Sequence, residues 1–217
     1  MCRQRERRGR VIVISGFSGT GKGTMIQKLM EAYPGEYALS VSWTTRQPRP
    51  GEIPGVSYHY KSEAEFEEMI AQDNFLEYAR YADCYYGTPL PFIRENLEAG
   101  RDVILEIELQ GAMQVQKIFP QVKLIFITTR NAETLEARLR GRQTEKEEKI
   151  IKRLTQATVE ADGIESYQYI IVNDDLDQAV TELRQDILDE DMPVPDQEKI
   201  ALVRKLQADL KKRLGLA

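Results

Sequence analysis

The sequence predicts an α/β fold in which helices wrap a parallel sheet, and three observations carry it. Apolar runs alternate with helical patterns along the chain. The first run leads directly into a glycine-rich turn ending in Gly21-Lys22. Neither a repeat nor a low-complexity tract interrupts the 217 residues, enough for one sizeable core with an inserted lobe.

Residues 11–24 read Val-Ile-Val-Ile-Ser-Gly-Phe-Ser-Gly-Thr-Gly-Lys-Gly-Thr. Val11 to Ile14 form a short β-branched run suited to a buried parallel strand, and Met25, Ile26, Leu29 and Met30 fall on the inward face of a following helix. Between them, Gly16, Gly19 and Gly21 let backbone N–H groups converge on an anion. The helix N-terminus adds partial positive charge, and Lys22 reaches the outer phosphates of a nucleotide. Gly16, Phe17, Ser18, Gly19, Thr20, Gly21, Lys22, Gly23 and Thr24 together make a phosphate cradle. The strict pattern places a Mg²⁺-ligating hydroxyl after the lysine, but here Gly23 stands there and Thr24 follows. The ion must then be held through phosphates, waters or other residues.

Residues 37–98 have a different texture, with most of the tyrosines, a proline-rich turn from Pro48 to Pro54 and an amphipathic segment from Glu63 to Ile70. This reads as an inserted lobe. Arg46 and Arg49 lie three apart on its proline-stiffened segment. Guanidinium forks with a nearby tyrosine hydroxyl suit a phosphomonoester; without a phosphate partner they would be the ordinary charges of an exposed loop. Further strands are expected at Val103 to Ile107, Leu124 to Thr128 and Tyr169 to Val172, each followed by a helical stretch. Arg138 to Arg153 is too charged for a core and suits a mobile lid, although the same arginines would pair with Glu145, Glu147 and Glu148 on a solvated helix. After Glu190, Pro193 and Pro195 break the chain. Asp196 to Leu214 then repeats apolar residues at helical spacing, at Ile200, Leu202, Val203, Leu206, Leu210 and Leu214.

With 30 basic and 35 acidic residues, the net charge of −5 disfavours broad nucleic-acid binding, and the Arg3 to Arg10 cluster reads as a solvated arm. The apolar runs fall far short of the ~20 residues of a membrane span, and charges precede the first strand, so the cytoplasm is the expected location. Cys2 and Cys84 lack metal-ligand or redox spacing and read as free thiols. His59 and Trp43 have no partner constellation and read as structural.

Taken together, the motifs resemble those of the guanylate kinase family, P-loop enzymes that make GDP from GMP and ATP. The resemblance rests on Gly16 to Thr24, on Thr44-Thr45-Arg46 with Pro48-Arg49 and Gly51-Glu52, and on Tyr85-Tyr86-Gly87-Thr88. It continues through Leu105-Glu106-Ile107-Glu108 with Gln110-Gly111, Arg138 to Glu145, and Val172-Asn173-Asp174-Asp175. These run in the family's order from about residue 10 to residue 190 and leave the tail outside. The resemblance implies the P-loop nucleoside monophosphate kinase fold over residues 1–190, with a core of 10–36, 99–137 and 156–190, a GMP-binding lobe at 37–98 and a lid at 138–155. Residues 191–217 are then a C-terminal helical extension.

By the same resemblance, ATP sits on the cradle with Asn173 on its adenine side. Arg46, Arg49, Tyr58 and Tyr86 bind the GMP phosphate with Glu52 in support, while Ser42, Glu77 and Thr88 read the guanine. Lys22, Arg46, Arg138, Arg142 and Arg153 carry catalysis. Glu108, usually an aspartate in the family, faces the GMP and magnesium region, and Gln143 replaces a usual lid glycine. The implied substrates are ATP, accompanied by Mg²⁺, and GMP or dGMP; neither nucleic acid nor a membrane is an expected partner, and monomer and oligomer both stay open. Guanine presents two adjacent donors beside an acceptor, so an ionised Glu77 can accept both while a hydroxyl of Thr88 or Ser42 donates to the oxygen. Two alternatives share the scaffold: a kinase of another nucleotide or sugar phosphate, and a non-catalytic binding module. Glu77 with Thr88 argues for guanine, and the retained Lys22 and grip arginines argue against a module.

Overall fold

The computed structural model describes residues 8–49, 51–81, 83–141, 147–191 and 193–216. Arg142, Gln143, Glu145, Cys2 and Arg3 to Arg7 lie outside the described residues. In chain order, β1 (Val11–Gly16) and α1 (Lys22–Ala32) come first. They are followed by β2 (Tyr37–Ser40), β3 (Trp43–Thr44), β4 (His59–Tyr60), α2 (Glu63–Ala71), β5 (Phe75–Tyr81), β6 (Cys84–Pro89), α3 (Leu90–Glu98), β7 (Asp102–Glu106) and α4 (Leu109–Ile118). The remainder comprises β8 (Lys123–Thr128), α5 (Ala132–Arg140), α6 (Glu147–Glu160), a 3₁₀ turn (Ala161–Ser166), β9 (Tyr169–Val172), α7 (Leu176–Leu188) and α8 (Gln197–Leu214). Two compact units divide these elements, Met1–Val13 with Tyr33–Val122 and Ile14–Ala32 with Lys123–Ala217, so that β1 contributes to both.

In the first unit, β2 runs parallel to β7, from Tyr37 opposite Asp102 to Ser40 opposite Leu105. The strand order there is β2-β7-β1. The aliphatic run Val103, Ile104, Leu105 is at most 1% exposed, and α3 packs against β2 and β7. Tyr37–Ser40 is a strand that the sequence reading did not include, because Tyr-Ala-Leu-Ser is short and carries no β-branched run. The region between β2 and α3 builds its own four-stranded sheet, β4-β3-β6-β5, in which β5 and β6 form an antiparallel hairpin. A capping box starts α2: the Ser62 hydroxyl accepts from the Glu65 N–H, and the Glu65 carboxylate accepts from the Ser62 N–H.

In the second unit, the order is β1-β8-β9, and β8 pairs in parallel with β9 from Ile125 opposite Tyr169 to Thr128 opposite Val172. The α/β class and the three expected strands of this sheet that follow the cradle are therefore present, with ends moved by at most one residue. All six residues of β8 are buried, including Lys123, whose ammonium donates to the Tyr169 hydroxyl at 2.9 Å and to the Asp186 carbonyl at 2.9 Å. Phe17 meets Phe126 edge-on at 5.0 Å, and Phe126 meets Tyr167 at 5.1 Å. Met25, Ile26 and Leu29 are buried on α1 as expected, while Met30 is half-exposed. The charged stretch expected to avoid the core sends Leu139 and Ile150 inward at 1% and 5% exposure. Asp196 caps α8, which buries Ile200, Val203, Leu206, Gln207 and Leu210. No described helix is long and apolar enough to cross a membrane.

Candidate active site

In the second unit, the chain leaves β1 through Gly16 (φ 139°) and enters α1 after Gly19 (φ 96°) and Gly21 (φ 90°). Space as well as conformation dictates Gly16: a Cβ there would lie 2.1 Å from the Ile127 carbonyl oxygen. The Thr20 hydroxyl donates to the Phe17 carbonyl at 2.9 Å and closes the loop. The Lys22 ammonium folds over it, donating to the carbonyls of Gly16 at 2.6 Å and Phe17 at 3.1 Å.

Three more side chains converge on this loop. Arg138, from α5, donates to the Asn173 carbonyl at 2.8 Å and the Thr20 carbonyl at 3.4 Å. Arg153, from α6, donates to the Ser18 hydroxyl at 3.0 Å. The Asn173 amide, just past β9, donates to the Thr20 carbonyl at 2.7 Å. Gly23 is exposed and a Cβ there would meet nothing within 4 Å, so neither crowding nor a hydroxyl marks that position. Among the described residues, no group of three or more His, Cys, Asp or Glu is arranged to hold a metal ion.

The first unit holds the other predicted residues. Arg46 clasps Glu52 with both arms of its fork, at 3.1 and 2.9 Å. Glu52 also accepts from the Arg49 backbone N–H at 2.8 Å and the Tyr60 hydroxyl at 2.7 Å. Partial burial pushes the Glu52 carboxyl up, but these bonds outweigh it and hold the pKa at about 2. The Arg46 guanidinium lies 5.3 Å from the Tyr58 ring centre, and Tyr58 meets Tyr86 edge-on at 6.0 Å. Burial, then the neighbouring Tyr86, raises the Tyr58 pKa and keeps it a neutral hydroxyl donor. The Arg49 side chain is exposed. Tyr60 was not anticipated; its spacing of two from Tyr58 was the available signal.

Glu77 on β5 stands opposite Thr88 on β6, and the Thr88 hydroxyl donates to Glu77 Oε1 at 2.6 Å. Both are buried, at 7% and 0% exposure. Burial raises the Glu77 pKa against the opposing effect of its bonds from Thr88. In this structure the Thr88 hydroxyl thus serves Glu77, beside the donation to the guanine oxygen that the sequence reading gives to Thr88 or Ser42. Ser42 is half-buried beside β3. Glu108 lies beyond the end of β7, exposed at the N-cap position of α4. Trp43 is structural as expected, edge-on to Phe75 at 5.9 Å with the Lys61 ammonium 4.7 Å from its ring centre, and His59 lies 6.4 Å away.

Residues 8–190 match the protein family described as guanylate kinase. The chain is similar to the guanylate kinase of Caldanaerobacter subterraneus subsp. tengcongensis, 48% identical over 185 residues that cover 85% of this chain and 89% of that protein. It is also similar to the guanylate kinase of Latilactobacillus sakei subsp. sakei, 46% identical over 188 residues, 87% of this chain and 93% of that one. Among solved structures, the guanylate kinase of Anaplasma phagocytophilum superposes with a TM-score of 0.68 at 26% identity, covering 97% of this chain and 98% of that one.

Proposed function

The chain belongs to the guanylate kinase family, and on that premise we propose that it transfers the γ-phosphoryl group of ATP to the phosphate of GMP or dGMP. The observation that carries this is the convergence of Lys22, Arg138 and Arg153 on the glycine loop of the second unit. A module that only bound other proteins would have no need of this concentration of positive charge.

The nucleophile is a phosphate oxygen of GMP, whose second pKa of ~6 leaves it largely dianionic at neutral pH. No general base is required. Positioning and charge neutralisation do the chemistry. Backbone N–H groups of Gly16 to Thr24 receive the ATP phosphates, and Lys22 exchanges its two neutral carbonyl partners for anionic oxygens, which bind it more strongly. Arg138 and Arg153 neutralise the transferring group, and Arg142 joins them by resemblance. Mg²⁺ would enter with ATP as part of the substrate and would supply charge neutralisation on the triphosphate; Gly23, in the place after the lysine, offers it no hydroxyl.

Arg46, Arg49, Tyr58 and Tyr86 hold the GMP phosphate. Glu52 occupies one edge of the Arg46 fork and the Gln47 carbonyl accepts from Nη1 at 2.7 Å, bonds that hold the guanidinium in place for phosphate oxygens. Glu77, with Ser42 and Thr88, reads the guanine edge, Asn173 lies toward the adenine, and Glu108 faces GMP. Residues 138–155 act as the lid that excludes water, which would otherwise accept the phosphoryl group. We read the chain as cytoplasmic, where both nucleotides are at hand.

Phosphorus NMR of a mixture of protein, MgATP and GMP tests the chemistry. ADP and GDP should appear one for one. Release of free phosphate without GDP would overturn it.

A further inference from the structure

We infer that Gly111 is a specificity-determining position for the phosphoryl acceptor: by carrying no side chain on the first turn of α4, it leaves the Glu77 carboxylate in line with the guanine edge. This rests on the assignment of Glu77 as the guanine reader. Glycine is among the poorest residues for a helix interior, and Gly111 is the third residue of α4. Its backbone gives no reason for glycine, since it is absent from the glycines with positive φ. Space gives the reason. A Cβ on Gly111 would lie 3.0 Å from Glu77 Oε2, 3.2 Å from Glu77 Cδ and 3.3 Å from Ile107 Cδ1.

Glu77 has little freedom to yield. Its Oε1 is held by the Thr88 hydroxyl at 2.6 Å, its side chain is buried, and α4 packs directly on β5, the strand that carries it. A methyl group squeezed between Ile107 and the carboxylate would therefore either bend the Thr88 bond or rotate Oε2. Both displace the acceptor pair that guanine's two donors must meet together. Small misplacements at a hydrogen-bonding site are costly, because two donors fixed on one ring cannot follow a carboxylate that has turned. The crowding is expected to act on the acceptor nucleotide, because Gly111, Glu77 and Ile107 all belong to the first unit and the glycine loop to the second.

The test is Gly111→Ala in the full chain, compared with Glu77→Gln and assayed for both KM values, kcat and thermal midpoint. The GMP KM is expected to rise about three- to tenfold, with the ATP KM and kcat within about twofold. The thermal midpoint should shift by only a few degrees, since the better helix preference of alanine offsets the crowding. An unchanged GMP KM, an equal rise for ATP, or a variant that fails to fold would each overturn the inference. A compensating variant gives an independent check: Glu77→Asp, one methylene shorter, should cost less in the Gly111→Ala background than in the native chain, and strict additivity would contradict the crowding. If Glu77→Gln leaves GMP kinetics untouched, the guanine assignment itself is what fails; if it raises the GMP KM while Gly111→Ala does not, only Gly111 is misassigned.

Discussion

At the scale of single residues, Glu77 and Glu52 are opposite cases of one chemistry. Burial makes ionisation of Glu77 costly, and the bonds from Thr88 offset only part of that cost; on the proposed reading, guanine supplies the further donors. Glu77→Gln swaps one acceptor for a donor, which on the proposed reading would face a guanine N–H. The GMP KM is expected to rise about ten- to a hundredfold while the ATP KM barely moves. Because the folded pKa of Glu77 lies above its usual value, its charge costs stability as pH rises through that pKa. Calorimetry of the Gln variant at neutral pH should accordingly show an equal or higher thermal midpoint. Glu52 has the reverse sign: its contribution is present above about 4.5 and lost as pH falls toward about 2. Glu52→Gln should flatten the acid limb of the stability curve across that window and raise the GMP KM, by loosening Arg46; an unaltered acid limb would contradict it. The sequence made Arg46, Arg49 and the cradle legible because their chemistry is local. Tyr60 and the Thr88 donor bond were not, since both depend on which residues strand pairing brings face to face.

At the scale of elements, α5 and α6 each deliver one arginine to the same loop, and the residues around those arginines secure the delivery. Arg140 of α5 clasps Glu147 of α6 with Nη1 at 2.5 Å and Nη2 at 2.7 Å. Arg138→Ala should lower kcat about a hundredfold or more with a much smaller change in the GMP KM, the mark of an interaction made chiefly in the transition state. Steady-state kinetics check this, and a pure KM effect would assign Arg138 to ground-state binding. Periodicity found the aliphatic strands and α8, because burial on both faces or one face imprints a simple pattern. It missed β2 and did not resolve the β3 to β6 sheet, where short strands gain their stability from partners distant in sequence.

At the scale of the whole molecule, the tail that lies beyond the family match is part of a core. In the second unit, α8 packs on α5 and α6, and its Gln207 amide donates to the Thr158 carbonyl at 2.6 Å. Arg204 pairs with Glu165, and Arg213 with Glu133. The exposed ion pairs add little. The buried Ile200, Val203, Leu206 and Leu210 matter more, at ~1.5–3 kcal/mol each. Truncation after Glu190 is therefore expected to lower the thermal midpoint by about 10 °C or more. Turnover per folded molecule should stay within about tenfold when assayed cold, and a larger loss in a folded variant would make α8 part of the active site. The most direct measurement of the central claim is ADP release with ATP and each nucleoside monophosphate in turn. Only GMP and dGMP should give substantial turnover, with kcat/KM at least about a thousandfold above AMP, because adenine offers the proposed Glu77 reader no pair of adjacent donors. Comparable rates with AMP or UMP would contradict guanine-specific phosphoryl transfer.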